Sequence, residues 1–135
     1  MIDYTHILKD AGLVASSAAA TVGGEAEIVD LGAAKVEGHF VVDVSAIEVD
    51  SGNELYKIAL QGSNQSNFAG VSGECAVLNL GANAVIDRGA DSGTGRYVMP
   101  FQTEQNGEVW QYVRAYTTVS GTVGTGINYT AHLAK

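Results

Sequence analysis

The sequence predicts an all-β protein built as an antiparallel β-sandwich, and three observations support that fold class. Short segments that alternate apolar and polar residues recur from residue 25 to the end of the chain. Gly, Asn, Asp and Ser separate these segments, and 17 glycines against 1 proline indicate many tight turns. Helical periodicity is weak outside the first dozen residues, which disfavours parallel βαβ units. The pattern alone leaves jelly-roll and Ig-like topologies both open.

Seven segments are predicted as strands because their side chains alternate with period two. Phe40, Val42 and Val44 fall on one face of the first long segment, and Tyr56, Ile58 and Leu60 fall on one face of the next. Each of these strands therefore has one dry face and one wetter face. The predicted strands cover residues 26–31, 39–49, 55–61, 75–80, 95–102, 109–120 and 127–133.

Residues 1–24 differ from the rest and are predicted to form an N-terminal arm, with the β-sandwich domain over residues 25–135. Tyr4, Ile7, Leu8 and Ala11 have the spacing of one or two helical turns. The run that follows contains only small residues between Ala15 and Gly24. The apolar side chains of the arm predict contact with a partner and mobility in the free protein, while a frayed terminus is the alternative. The arm residues predicted to form a protein interface are Tyr4, Ile7, Leu8 and Leu13.

Charge and composition disfavour several classes of partner. The chain has 15 acidic and 7 basic residues, for a net charge of −8, so phosphate backbones and anionic lipid should repel it. We expect no direct nucleic-acid binding. No apolar run approaches the ~18 residues of a membrane span, and the first residues lack a basic leader. Cys75 is the single cysteine and is expected to be a small buried residue in a protein folded without oxidation.

No pattern of residues typical of catalysis or metal binding emerges from the sequence. The three histidines, His6, His39 and His132, lack the spacing with which one strand or helix presents two ligands to zinc. The loop 50–54 is rich in oxygen atoms but lacks the register of a calcium loop, and we expect a polar turn there. The Gly-rich loop 87–95 lacks the residues of a phosphate cradle. We therefore expect no catalytic residue, no metal and no cofactor, and predict that the protein is not an enzyme.

The segment 110–122 is the most informative part of the chain. Trp110, Tyr112, Arg114 and Tyr116 are predicted on one side of a strand, with Val113, Ala115 and Val119 on the other. A strand with large side chains on both faces needs cover on both. The four residues are therefore predicted as a protein interface, with two alternatives left open: they fill the core, or the aromatic rings stack on a sugar.

The order and spacing of several motifs give the chain a resemblance to a known family. The motifs that carry the resemblance are Asp10 with the small-residue run 15–21, then the segment 28–32, the segment 56–61 leading through Ser63 and Ser66 to Phe68, the segment 112–121, and the final strand 128–133. In the order and spacing of these motifs the chain resembles the small jelly-roll capsid cement, or decoration, proteins of tailed double-stranded-DNA bacteriophages, of the type first described in a podovirus that infects Bordetella.

The resemblance implies a non-enzymatic jelly-roll protein of the virion. It implies a homodimer or homotrimer, made in the cytoplasm of the host bacterium, that binds the outer capsid surface across junctions between major capsid proteins. The acidic charge suits a protein outside the shell better than one that lines packaged DNA. The alternatives are a carbohydrate-binding or host-adhesion β-sandwich and a small hydrolase.

Overall fold

The computed structural model describes residues 6–70, 72–87 and 89–134, and within them the chain forms strands and one short helix. The elements are β1 (Ile7–Lys9), β2 (Leu13–Val14), β3 (Ala18–Ala19), β4 (Thr21–Val22), β5 (Glu25–Ala26), β6 (Val29–Asp30), β7 (Glu37–Ile47), β8 (Leu55–Ser63), β9 (Ser72–Gly81), α1 (Asn83–Ile86), β10 (Gly95–Gln102), β11 (Glu104–Gln105), β12 (Glu108–Val109), β13 (Tyr112–Ser120) and β14 (Ile127–Ala134). The predicted strands from residue 39 onward all correspond to observed strands.

The long strands form two antiparallel sheets that pack face to face. Sheet A has the order β1-β14-β7-β10, with β2 also pairing with β14. Sheet B has the order β3-β13-β8-β9, with β6 also pairing with β13. The pairing is nested: β1 pairs with β14, β3 and β6 with β13, β7 with β10, and β8 with β9, and successive pairs alternate between the sheets. This is the order of a jelly roll, and the predicted fold class is confirmed.

The core lies between the sheets and follows the predicted alternation. Phe40, Val42 and Val44 of β7 point inward and are buried, while Asp43 between them is partly exposed on the outer face of sheet A. Residues of β8 follow the same rule. Packing of these faces removes apolar surface from water and is the main stabilising contribution to a fold of this kind. The largest buried side chains of the core are Tyr56, Tyr129, Phe40, Leu8, Ile58, Leu60, Leu80 and Ile127.

The N-terminal segment differs from the sequence prediction. Ile7–Lys9 form a strand rather than a helical turn, because β1 pairs with β14 and so becomes the edge strand of sheet A. Leu8 is fully buried in the core, so its side chain is not available to a partner. Further along, Ala18–Ala19 pair with β13 of sheet B. From residue 7 onward the segment therefore belongs to both sheets, and Tyr4 lies outside the described residues.

Hydrogen bonds from Lys9 hold β1 at the edge of sheet A. Its ammonium donates to the backbone carbonyl oxygen atoms of Tyr129, Asp10 and Gly12 at 2.8, 3.0 and 3.0 Å. The same ammonium lies 4.5 Å from the centre of the Tyr129 ring. Burial lowers the pKa of Lys9, with the nearby Asp10 acting in the opposite direction. The carbonyl oxygen atoms compensate the buried charge and join β1 to the loop after it and to β14.

Two carboxylates organise the loops at one end of the sandwich. Glu54 is fully buried and accepts hydrogen bonds from the backbone N–H groups of Ser51 and Asn53, at 2.8 and 3.0 Å. Glu48 accepts from the backbone N–H groups of Gly124 and Thr125. The predicted polar turn at residues 50–54 is thus present and is closed by its own glutamate.

Candidate interaction surface

The four predicted interface residues of the aromatic segment do not share one face. Val113, Ala115 and Thr117 of β13 are buried and point into the core, so Tyr112, Arg114 and Tyr116 lie on the outer face of sheet B, where each is partly exposed. Trp110 departs from the prediction because the ladder of β13 begins only at Tyr112. The strict alternation of a strand therefore does not extend to it.

Trp110 fills the end of the core below sheet B. It is 7% exposed, and its indole N–H donates to the Gln105 side chain at 2.9 Å. The ring packs against two glycines: a Cβ at Gly62 would lie 2.6 Å from the Trp110 Cβ, and a Cβ at Gly73 would lie 3.0 Å from its Nε1. These glycines lie opposite each other on β8 and β9 and leave room for the indole. Trp110 is therefore a core residue rather than a contact for a partner.

Neighbouring strands determine what surrounds Tyr112, Arg114 and Tyr116. Arg114 lies opposite Gln61 of β8, and Tyr116 lies between Ala59 of β8 and Ala19 of β3. Ala59 is only 2% exposed, whereas Tyr116 is partly exposed. Beyond Ala59 in the same row lies Val77 of β9, a valine that is 38% exposed. The outer face of sheet B thus carries a row of apolar residues, with Tyr116 and Val77 accessible, next to an arginine.

Arg114 is held in place by three side chains. Its Nε–H donates to Oε1 of Gln61 at 2.9 Å. The guanidinium carbon lies 4.3 Å from the centre of the Phe68 ring and 5.3 Å from that of Tyr116. These are cation–π contacts, which fix the orientation of a guanidinium without neutralising it. We call Gln61, Phe68, Arg114 and Tyr116 together the arginine cluster.

Phe68 reaches this position through an unusual backbone conformation. Its φ is +56°, in the left-handed region that bulky residues rarely adopt. The turn around it is closed by hydrogen bonds from the Phe68 N–H to the Gln65 carbonyl, at 3.0 Å, and from the Ala69 N–H to the Asn67 side chain, also at 3.0 Å. Such conformations cost about 1–3 kcal/mol and concentrate at functional positions. The loop between β8 and β9 therefore places an aromatic ring over Arg114 at an energetic cost.

Charge pairing also distinguishes Arg114 from the other cations in the described part of the chain. Lys35 pairs with Glu37, Lys57 with Glu74, and Arg96 with Asp43, at 2.9, 2.7 and 2.7 Å. Lys9 is bound by carbonyl oxygen atoms. Arg114 forms no ion pair with any carboxylate of the described residues. On a chain with net charge −8, Arg114 is thus a positive side chain that the described residues leave without an ion pair.

The remaining predicted interface residues within the described part of the chain lie on the N-terminal strands of sheet A. Leu13 of β2 pairs with the start of β14 and is 59% exposed, the largest exposure of any large apolar side chain described. Ile7 is partly exposed on β1. A groove of about 290 Å³ lies between residues 9–21 and Thr117. These features form a second apolar region, and its groove adjoins the arginine cluster because Ala19 pairs with Tyr116.

Outside this surface, few of the described residues have side chains suited to catalysis or metal binding. Burial raises the pKa of the Cys75 thiol to about 11, which makes the thiolate scarce at neutral pH. Burial also lowers the pKa of His132, an effect that Asp43 opposes. Across residues 6–70, 72–87 and 89–134 no three His, Cys, Asp or Glu side chains are grouped as metal ligands. In the same ranges no helix is long and apolar enough to span a bilayer.

Comparison with known proteins found no matching family: no protein-family model matches the chain, and no curated protein matches it. The candidate surface is therefore identified from the geometry of the described residues alone. The sequence pattern identified Tyr112, Arg114 and Tyr116, but it missed Phe68 and Gln61 as their partners. Only the pairing of β8 with β13 and the loop after β8 bring those two side chains to Arg114.

Proposed function

We propose that this protein is a structural capsid decoration protein that binds the outer surface of an icosahedral phage shell, across junctions between major capsid proteins, and stabilises it. The proposal gives the protein no enzymatic role. It places the protein on the virion after synthesis in the bacterial cytoplasm. Support comes from the jelly-roll order of the strands and from the motif order by which the chain resembles capsid cement proteins.

The observation that carries the proposal is the outer face of sheet B. A sheet face that serves only as solvent-exposed surface has no need of a guanidinium in contact with two aromatic rings, nor of a phenylalanine in a costly backbone conformation. Arginine and tyrosine are the residue types that most often anchor protein interfaces. The arginine cluster is therefore the proposed contact with the shell.

Oligomerisation as a homodimer or homotrimer is the second part of the proposal. A shell offers many equivalent sites, so an oligomer that engages two or three at once binds far more durably than one contact does. Leu13 on β2 supplies an exposed apolar side chain that is not part of the arginine cluster. We propose that the arginine cluster contacts the shell and that the region around Leu13 serves self-association.

Shell rupture tests the proposal. Empty shells assembled from the major capsid protein of the same genome would be heated with and without the purified protein, and we expect the rupture temperature to rise when it is present. Tyr116→Ala should weaken binding to shells by about 1–3 kcal/mol while the domain stays folded. Thr118→Ala, two residues along the same strand and on the same face, is the matched control and should bind normally. An unchanged rupture temperature with the wild-type chain would contradict the proposal.

A carbohydrate-binding or host-adhesion module is the second candidate, favoured by the two tyrosines on an open sheet face. Tyr112 and Tyr116 are both partly exposed, and aromatic rings of this kind stack on sugars. Titration with a panel of host-surface oligosaccharides distinguishes the candidates. Saturable heat that disappears in Tyr116→Ala, together with no effect on shells, would favour the sugar.

A further inference from the structure

We infer that the outer face of sheet B docks a partner protein through a carboxylate that the guanidinium of Arg114 receives. The inference deepens the proposed function and rests on it for the identity of the partner, a capsid protein surface that presents Asp or Glu beside apolar side chains. Arg114 has N–H donors that the described residues leave unused. Its Nε–H is used by Gln61, and within the described residues no hydrogen bond engages its two terminal nitrogen atoms.

The orientation of the guanidinium makes those nitrogen atoms suitable for a carboxylate. A guanidinium binds a carboxylate through two parallel N–H groups in one plane, so the plane must be fixed before binding for the contact to be specific. Gln61 fixes one edge of the guanidinium, and contacts with the rings of Phe68 and Tyr116, whose centres lie 4.3 and 5.3 Å from the guanidinium carbon, restrict its orientation further. The side chain has therefore lost much of its freedom before a partner arrives, which lowers the entropic cost of binding.

Charge selects a carboxylate over a polyphosphate. The arginine cluster contains a single cation, and the chain as a whole carries −8, so a nucleic acid or an anionic membrane would be repelled over most of the surface. One carboxylate needs only one guanidinium. Burying Arg114 against an apolar surface without an anion would leave a desolvated charge, so the partner must supply the compensating group.

Shape favours a protein over a small acidic sugar. Four pockets of the described residues lie elsewhere: around Phe101 and Leu133, around residues 9–21, beside His132, and beside Cys75. None of the four is lined by Arg114, Tyr112 or Tyr116. Small ligands are usually bound in concave sites, whereas an apolar row with Val77 38% exposed, next to an oriented arginine, is typical of a protein contact.

The first arm of the test needs no shell. Arginine Nε–Hε resonances of the ¹⁵N-labelled protein would be followed during titration with sodium acetate, against sodium chloride at equal ionic strength. We expect a saturable shift at Arg114 and a much smaller one at Arg96, whose guanidinium is already paired with Asp43 through two hydrogen bonds. An Arg114 resonance that moves no more than that of Arg96 would overturn the inference, whatever the shell experiments give.

The second arm uses shells and matched variants. Arg114→Gln should weaken binding to shells about ten-fold or more, Arg114→Lys should retain only part of it, and Arg96→Gln should bind as the wild type does. Wild-type binding with no loss in Arg114→Gln overturns the inference but leaves the proposed function standing. If wild type itself fails to bind shells, the proposed function fails, and the acetate titration still decides whether Arg114 receives a carboxylate.

Sedimentation velocity decides whether the occupant is a second copy. If Arg114→Gln dissociates an oligomer while shell binding by the remaining monomer is unchanged, the carboxylate belongs to another copy of this chain and the assigned partner is wrong. If the oligomer persists and only shell binding is lost, the assignment holds. If Arg114→Gln does not fold, Arg114→Lys still shows whether shell binding or the oligomer depends on Arg114. The acetate titration of the wild-type protein still shows whether Arg114 receives a carboxylate.

Discussion

The hydroxyl groups of Tyr129 and Thr117 lie 2.6 Å apart at the centre of the sandwich and connect its two sheets. Tyr129 belongs to β14 of sheet A and Thr117 to β13 of sheet B, and both are essentially inaccessible to solvent. Burial raises the pKa of Tyr129 to about 12, while the hydrogen bond with Thr117 acts in the opposite direction. A polar contact in an apolar core has a defined geometry, so it also sets how the sheets are aligned.

Removing both of these hydroxyl groups should cost less than the sum of the costs of removing each one alone. Thr117→Val or Tyr129→Phe alone leaves the other hydroxyl buried without its partner, at a cost of about 1–3 kcal/mol in the free energy of unfolding. The double variant leaves no hydroxyl to satisfy and should be less destabilised than the sum of the single variants. Chemical denaturation of all four proteins measures this coupling. Additivity within about 0.5 kcal/mol would show that the two groups do not depend on each other.

Glu48 should make the stability of the protein depend on acid pH. The backbone N–H groups of Thr125 and Gly124 hold the pKa of this carboxyl below its usual value of 4.5. Because the pKa of Glu48 is lower in the folded state, its ionised carboxylate stabilises the fold at pH values above the unfolded pKa of 4.5. This stabilisation is lost as the pH falls through the folded-state pKa. Asp43 follows the same direction because Arg96 donates to it.

Acid titration of variants isolates the part that Glu48 contributes. We expect Glu48→Gln to lower the melting temperature at neutral pH and to flatten its fall below about pH 4.5, since the amide cannot gain a proton there. Glu25→Gln, at an exposed carboxylate on the β4–β5 hairpin, is the control and should leave the acid profile unchanged. An identical acid profile for Glu48→Gln and wild type would refute the role of the carboxylate.

Gly62 should tolerate no side chain because Trp110 occupies the space beside it. A Cβ at Gly62 would lie 2.6 Å from the Trp110 Cβ, so Gly62→Ala must displace the indole or the strand, at a cost of about 1–3 kcal/mol. The chain contains 1 Trp, so intrinsic fluorescence reports on this site alone. We expect a red-shifted emission and a lower unfolding midpoint. Gly12→Ala, where a Cβ would meet nothing within 4 Å, should change neither.

The strand pattern was predictable from the sequence because burial on a sandwich face imposes a period of two. The strand at residues 95–102 has the bounds that the alternation predicts, and the strands around Phe40 and Tyr56 differ only at their ends. The strands β1 to β4 were missed because each spans only two or three residues, and the strand predicted at residues 26–31 is broken into β5 and β6. Ile7 and Leu8 have helical spacing by coincidence, and the pairing with β14 determines their conformation.

The candidate surface was predictable only in part. Alternation along one strand identified Tyr112, Arg114 and Tyr116, but Trp110 fell on the other side because the chain leaves the ladder before Tyr112. Phe68 comes from a distant loop, and its contact with Arg114 depends on a backbone conformation that no local pattern indicates. Contacts between residues far apart in the sequence are set by the pairing of strands and loops, which sequence periodicity does not specify.

The most direct test of the central claim is the number of copies bound to a saturated shell. Shells of the cognate major capsid protein would be incubated with excess protein, imaged by cryo-electron microscopy, and reconstructed with the symmetry of the shell. The proposed function predicts saturable binding at outer positions that repeat with the shell lattice, with the arginine cluster turned toward the capsid protein. Shells that remain bare under these conditions, or density at a single vertex alone, would contradict the claim.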